Sequence, residues 1–233
     1  MFFDPMWLLF VSPALLLGFW AQMRIKSTYA AAQRVPARLS GAAAARYVLD
    51  AAGLTNVGIE QVPGKLSDHY DPRQKVVRLS QAVYHSRSMA AVGIAAHEAG
   101  HAIQDARNYA PLVVRNMAVP AAGFGSSFGI VLVILGAVLS TALQAPVLGS
   151  WLVMAGIVLF GCVVVFQLIN LPVEFDASAR AKAELVNHGI VDRNEMSHVR
   201  KVLSAAALTY VAATLQAVLT LLYLVYRFTG RSE

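Results

Sequence analysis

The sequence has little charge and almost no cysteine. Only 14% of its 233 residues are charged and 57% are apolar, which is not the balance of a soluble globular protein. The single cysteine, Cys162, excludes an intrachain disulfide. No Ser-His-Asp or Cys-His arrangement stands out, so the sequence offers no candidate for catalysis by a nucleophilic side chain.

Four apolar segments are long enough to cross a hydrocarbon layer of about 30 Å. We predict membrane helices at residues 5–23, 124–143, 147–169 and 205–226. The second and third are joined by three residues only, which favours an antiparallel hairpin. The alternative, buried core helices of a soluble protein, would need far more polar sequence to cover them.

The first segment is predicted to be a retained anchor rather than a cleaved signal peptide. Asp4 lies where a signal peptide carries positive charge. Arg24 and Lys26 follow the segment without a small-x-small cleavage site. We therefore count this segment among the membrane helices.

The basic residues predict the orientation. Of 19 Lys and Arg, 12 lie between Arg24 and Arg115 and five between Arg180 and Lys201. The positive-inside rule puts both stretches in the cytoplasm and both termini outside, as four spans require. We expect a multi-pass protein of the inner membrane. The net charge of +6 is explained by contact with the lipid bilayer and calls for no nucleic acid.

An alanine-rich stretch in the first polar region carries the pattern H-E-x-x-H, at His97, Glu98 and His101. On a helix, residues i and i+4 share one face, so both histidines can bind one Zn²⁺. Glu98, rotated by about 100° from His97, can reach a water on the open side of the metal. The alternative is two partly exposed histidines on an ordinary helix.

A zinc site of this type requires a third protein ligand. Acidic candidates, Glu174 and Asp176, follow the third apolar segment. For Glu174 the alternative is a carboxylate in the first turn of a helix that begins after Pro172, where the helix dipole favours it. For Asp176, such a helix-end role and a role in supporting the metal ligands are equally open.

These motifs resemble the YugP-type neutral zinc metallopeptidases, membrane proteins of bacteria. The resemblance rests on H-E-A-G-H, on L-S-D-H-Y-D-P at residues 66–72 and on P-V-E-F-D-A-S at residues 172–178, and it covers residues 29–203. It implies one Zn²⁺ per chain, with Glu174 as the third ligand. A more distant likeness is to HtpX-like and CAAX-prenyl proteases, in which an Asp orients a zinc-bound histidine. Ser178 stands at that position here.

The predicted fold is a mainly α membrane protein of about four transmembrane helices that carries a small cytoplasmic α+β zincin-like catalytic unit. Its polar parts are residues 24–123, with the H-E-x-x-H helix, and residues 170–204, with the third ligand. Within the first part we predict a helix from Ser40 to Ala52, strands at 57–62 and 75–79, and a metal helix that begins near Ser86 or Ser88. The strand at 75–79 is read either as an edge that pairs with an extended substrate or as an ordinary sheet strand.

Five further residues are candidates for stabilising an oxyanion or for supporting the ligands. Two lie in a predicted turn before the second strand, and three lie near the proposed third ligand: His69, Tyr70, Asp176, Arg180 and His188. A structural role is an open alternative for each of them.

The combined prediction is a membrane-anchored zinc endopeptidase that hydrolyses protein or peptide substrates in or near the membrane. One alternative is an intramembrane site-2-type protease. The metal motif is flanked by Arg87, Asp105 and Arg107, and no L-D-G motif follows, which argues against it. The other alternative is a non-catalytic metal-binding scaffold, which would not need Glu98. The sequence makes no prediction of the oligomeric state.

Overall fold

The structure is a computed structural model that describes residues 5–230. Within this range the chain is mainly helical and has one small sheet. The helices are α1 (Pro5–Gln33), α2 (Gly41–Ala51), α3 (Gln81–Tyr84), α4 (Met89–Ala106), α5 (Ala110–Thr141), α6 (Pro146–Asn187) and α7 (Met196–Thr229). The strands are β1 (Gly58–Val62), β2 (His69–Asp71) and β3 (Val76–Ser80).

Four of the helices described in this range, α1, α5, α6 and α7, are long and apolar enough to cross a membrane. Each continues beyond the apolar segment that marks it in the sequence. The longest, α6, has 42 residues and contains Pro172 in its interior. The chain thus has the four candidate transmembrane helices and the small sheet that the sequence predicts.

The chain divides into two compact units, and all four long helices contribute to both. The apolar unit consists of Val114–Leu171 together with the residues before Ala21 and after Thr209. The sheet-bearing unit consists of Ala21–Val113 and Pro172–Thr209. We describe each by itself.

In the apolar unit, α5 and α6 pack backbone against backbone. A Cβ added to Gly136 would lie 2.5 Å from the carbonyl oxygen of Gly149, and one added to Gly156 would lie 2.6 Å from that of Gly129. Only glycine tolerates such an approach, which is typical of small-residue contacts between membrane helices.

The sheet-bearing unit has the strand order β1-β3-β2, with β1 parallel and β2 antiparallel to β3. The strand predicted at 75–79 is present as β3, and of its two interpretations the ordinary sheet strand is correct, because β3 is central and not a sheet edge. The turn predicted at His69 and Tyr70 was wrong, since both residues lie in β2. That strand has three residues only, too few to give a pattern in the sequence.

Serine caps fix the starts of α2 and α4, two of the helices that pack against the sheet. The side chain of Ser40 accepts a hydrogen bond from the backbone of Ala43, and that of Ser88 accepts one from Ala91. Both helix starts agree with the sequence predictions. Their small buried residues let them pack closely in one core with Val77 and Leu79 of β3.

Asp105 of α4 binds the β2–β3 hairpin to that helix. This carboxylate accepts hydrogen bonds from the hydroxyl of Tyr70 at 2.8 Å and from Nζ of Lys75 at 2.5 Å. The turn of the hairpin is closed by Asp71, whose side chain accepts from the backbone of Arg73 and Gln74. The motif at residues 66–72 thus contributes to the architecture around α4.

Candidate metal centre

Two histidines of α4 and one carboxylate of α6 form a single cluster. His97, His101 and Glu174 each offer a ligand atom, and these atoms all lie within 4.8 Å of one another. Oε2 of Glu174 is 3.3 Å from Nε2 of His97 and 3.7 Å from Nε2 of His101. The two imidazole rings are 4.7 Å apart and nearly perpendicular. The i, i+4 spacing produces this arrangement.

Glu174 reaches the histidines from the interior of a continuous helix. Because α6 runs unbroken from Pro146 to Asn187, Glu174 does not lie in a first helical turn, and that interpretation was wrong. Its side chain is almost fully buried, with 4% of the residue exposed. A carboxylate buried to this degree requires a compensating charge or hydrogen bonds.

The electrostatics of the cluster favour an ionised Glu174. Burial by itself would raise the pKa of Glu174, but the imidazoles of His101 and His97 outweigh it and hold this pKa well below its usual range. Burial likewise would lower the pKa of His101, and Glu174 and Glu98 reverse this, so the net shift is upward. The carboxylate is therefore in the charged form that a metal ligand requires.

The cluster fits a divalent metal. Oε2 of Glu174 is buried and accepts no hydrogen bond from the residues that the structure describes. Both imidazoles direct Nε2 towards that oxygen, while each Nδ1 has a different hydrogen-bond partner. Two histidines and one glutamate, with a fourth position left for water, are the ligand set of catalytic zinc.

Ser178 contacts the first of the two histidines. Its hydroxyl lies 3.1 Å from Nδ1 of His97. Ser178 is one turn after Glu174 on α6, so one helix supplies both the carboxylate and this hydrogen bond. The residue at which the sequence departs from the HtpX-like pattern is thus a neutral group whose hydroxyl lies beside the ring.

Gln104 contacts the second histidine and connects it to α6. Its Oε1 is 3.0 Å from Nδ1 of His101, and its Nε2 donates to the carbonyl of Val173 and to Oδ2 of Asp176, both at 2.8 Å. Nε of Arg180 in turn donates to the same Asp176 oxygen at 2.5 Å. Asp176 therefore contacts Gln104, the partner of His101, and lies in the interior of α6 rather than in a first helical turn.

Comparison with known proteins agrees with this geometry. The family described as "putative neutral zinc metallopeptidase" matches residues 7–229. The chain belongs to this family. A curated relative, "Putative membrane protease YugP" of Bacillus subtilis (strain 168), is 47% identical over 223 residues, which cover 94% of this chain and 96% of the relative. No solved structure matches the chain.

In this family member the other candidate residues have partners of their own. Tyr70 donates to Asp105, and burial together with that hydrogen bond and charge raises the pKa of its hydroxyl. His69 is exposed, with Nδ1 2.8 Å from the carbonyl of Ser67. His188 lies 3.0 Å from the carboxylate of Glu184. A role for Tyr70, His69 or His188 at the oxyanion stays a prediction.

Gln104 and Ser178 are the two contacts of the histidines that the sequence did not identify as such. Gln104 follows His101 by three residues on the same helix, a spacing that puts the two side chains side by side. The spacing is visible in the sequence, but many buried glutamines that contact no metal ligand have the same spacing to a histidine. The sequence identified Ser178 only as a departure from the HtpX-like pattern.

Proposed function

We propose that this protein is a membrane-anchored zinc endopeptidase. The observation that carries the proposal is the cluster of His97, His101 and Glu174 beside a buried Glu98. Glu98 is 8% exposed and is not among the cluster's ligands. A site that only held a metal would have no use for an additional buried carboxylate next to it, because an uncompensated buried charge is costly.

In the proposed mechanism, His97, His101 and Glu174 hold one Zn²⁺ per chain. When bound, zinc supplies Lewis-acid chemistry by acidifying water and polarising a carbonyl group. Glu98 acts as the general base: its carboxylate takes the proton of the attacking water and then passes it to the nitrogen of the leaving amine. The water oxygen first bonds to the carbonyl carbon, and the C–N bond of the resulting tetrahedral adduct breaks as the amine nitrogen takes the proton, so no covalent enzyme intermediate is required.

Two residues are candidates for stabilising the oxyanion, Arg180 and His69. Arg180 is the cationic candidate, but its guanidinium pairs with Asp176 and lies 5.7 Å from the ring centre of Tyr109. That arrangement supports a positioning role for the Arg180–Asp176 pair. The exposed side chain of His69 is available for a direct contact with substrate, and we keep it as the alternative.

The proposed substrates are proteins or peptides in or near the inner membrane, presented at the cytoplasmic face. The support is the distribution of charge, since 17 of the 19 basic residues lie in the two polar stretches that carry the ligands. The intramembrane alternative is not favoured, because α4, which carries both histidines, is not among the four candidate membrane spans of the described residues.

The function is tested by replacing Glu98 with Gln in the full-length protein. The amide keeps the shape of the side chain but cannot accept the proton. Peptide cleavage should therefore fall by at least about 10²-fold, while zinc content stays at the wild-type level.

Proteomic comparison of membranes from cells that express wild type or Glu98→Gln should also show uncut substrates in the variant. Undiminished cleavage by zinc-loaded Glu98→Gln would contradict the proposed base. If wild type binds zinc but cleaves nothing that the variant leaves intact, the scaffold alternative is correct.

A further inference from the structure

Gln104 is held in one orientation by two groups that only accept hydrogen bonds. It is completely buried, and its Nε2 lies 2.8 Å from the carbonyl oxygen of Val173 and 2.8 Å from Oδ2 of Asp176. Since a carbonyl and a carboxylate both require a donor, the NH₂ end of the amide must face them. The oxygen end, Oε1, must then face His101.

This orientation determines which nitrogen of His101 carries the hydrogen. Oε1 of Gln104 can only accept, and it lies 3.0 Å from Nδ1 of His101. Nδ1 is therefore the protonated nitrogen of the neutral ring, and Nε2 keeps its lone pair. Nε2 is the atom that faces Glu174, at 3.7 Å.

We infer that Gln104 is a positioning residue that fixes His101 in the Nδ1–H tautomer, with Asp176 and Arg180 fixing the direction of the Gln104 amide. The inference rests on the proposed metal site, for which a lone pair on Nε2 is required. The hydrogen-bonded side chains that run from Arg180 through Asp176 and Gln104 to the ring thus all serve to orient His101.

The two histidines differ in this respect. Ser178, the partner of His97, has a hydroxyl that donates as readily as it accepts, so it sets no tautomer. Oε2 of Glu174 lies 3.3 Å from Nε2 of His97 and favours the hydrogen on that nitrogen in the zinc-free protein, which is the form that cannot bind metal through that atom. Of the two histidines, His101 is thus the one whose Nδ1 partner favours the metal-binding tautomer.

The tautomer is measured directly by ¹⁵N solid-state NMR on the full-length, zinc-free protein in lipid bilayers. The spectrum is recorded at alkaline pH so that the ring is neutral, and the His101 signals are assigned by their loss in His101→Asn. Wild type should show a protonated Nδ1. Gln104→Met, which keeps the volume but removes the hydrogen bonds, should shift His101 towards the Nε2–H form.

A matched control is available in a second Gln–His pair outside the cluster. Oε1 of Gln61 lies 2.7 Å from Nε2 of His85. Gln61→Met should leave the His101 signals and the zinc affinity unchanged. Gln104→Met should lower zinc affinity by about 10- to 100-fold, the usual effect of losing the partner of a metal-bound histidine.

Gln104→Glu separates this role from a merely structural one. The carboxylate loses the hydrogen bonds to Val173 and Asp176 and should destabilise the protein, but it still accepts from Nδ1 of His101. Gln104→Glu should therefore keep the Nδ1–H form of His101 that Gln104→Met loses. This variant also carries the test if Gln104→Met does not fold.

The inference is overturned if wild type binds zinc and Gln104→Met shows the same His101 tautomer and the same affinity. It is also overturned if Gln104→Glu shows His101 in the Nε2–H form. If wild type itself binds no zinc, the proposed function fails. The tautomer in zinc-free protein then still decides whether Gln104 directs His101.

Discussion

Gly100 lies directly against the backbone of Ala177. A Cβ built on Gly100 would be 2.7 Å from the carbonyl oxygen of Ala177, closer than side-chain carbons approach backbone oxygens. Gly100 lies between the two histidines of the motif, and Ala177 lies three residues after Glu174. This contact therefore sets how closely α6 can bring its carboxylate to the imidazoles of α4.

Replacing Gly100 with Ala should weaken the metal site without touching a ligand. The added methyl group forces the two backbones apart, and overpacking of this kind costs about 1–3 kcal/mol. Because the strain destabilises the zinc-bound arrangement of α4 and α6 relative to the zinc-free one, zinc affinity should drop by about 5- to 150-fold. Competition with a chromophoric chelator measures it.

Gly93→Ala is the control for Gly100→Ala, since Gly93 lies on the same helix but faces a side chain. A Cβ at Gly93 would lie 3.0 Å from Cγ1 of Val199, a side-chain methyl group rather than a backbone oxygen. Zinc affinity should stay near wild type. Equal losses in both variants would show that the contact with Ala177 has no special part in the metal site.

The close packing of α5 and α6 predicts a stability effect at Gly156. A Cβ there would be 2.6 Å from the carbonyl oxygen of Gly129 and 2.7 Å from a side-chain carbon of Val133. Gly156→Ala should destabilise the protein by about 1–3 kcal/mol, seen as an earlier unfolding transition in detergent.

Gly161→Ala, on the same helix, tests the specificity of that effect. Apart from its chain neighbours and the backbone of its own helical turns, no heavy atom of the described residues lies within 4 Å of a Cβ at Gly161. Alanine there should be neutral or slightly stabilising, because it favours helix over glycine. An unchanged transition in Gly156→Ala would refute the backbone contact between the two helices.

The proposed sidedness is tested by introduced cysteines. Asp192→Cys lies on the exposed surface of the second polar stretch, and Ala145→Cys lies between α5 and α6. In intact cells an impermeant thiol reagent should label Ala145→Cys and not Asp192→Cys. The parent protein gives the background from Cys162. The reverse labelling would place the metal centre at the outer face.

The centre of the site was predictable because its signals are local. The i, i+4 spacing of the histidines and the serine cap both belong to α4. The shared helix face of His97 and His101 could therefore be predicted from the sequence alone. The third ligand required the resemblance to a family, since nothing in the spacing alone selects Glu174 over Asp176.

What the sequence did not reveal depends on contacts between distant segments. β3 became central because the three residues of β2 pair along it, and so short a strand has no periodicity of its own. The connection from Gln104 to Val173 and Asp176 joins residues about 70 positions apart. Such contacts follow from packing, which no local pattern encodes.

The central claim is tested most directly by counting zinc in the purified full-length protein. Wild type in mild detergent should carry about one zinc per chain, and His97→Ala, His101→Ala and Glu174→Ala should each lose most of it. Asp176→Asn, which keeps a hydrogen-bond acceptor for Gln104, should retain it. Full zinc content in Glu174→Ala, or none in wild type, would contradict the account.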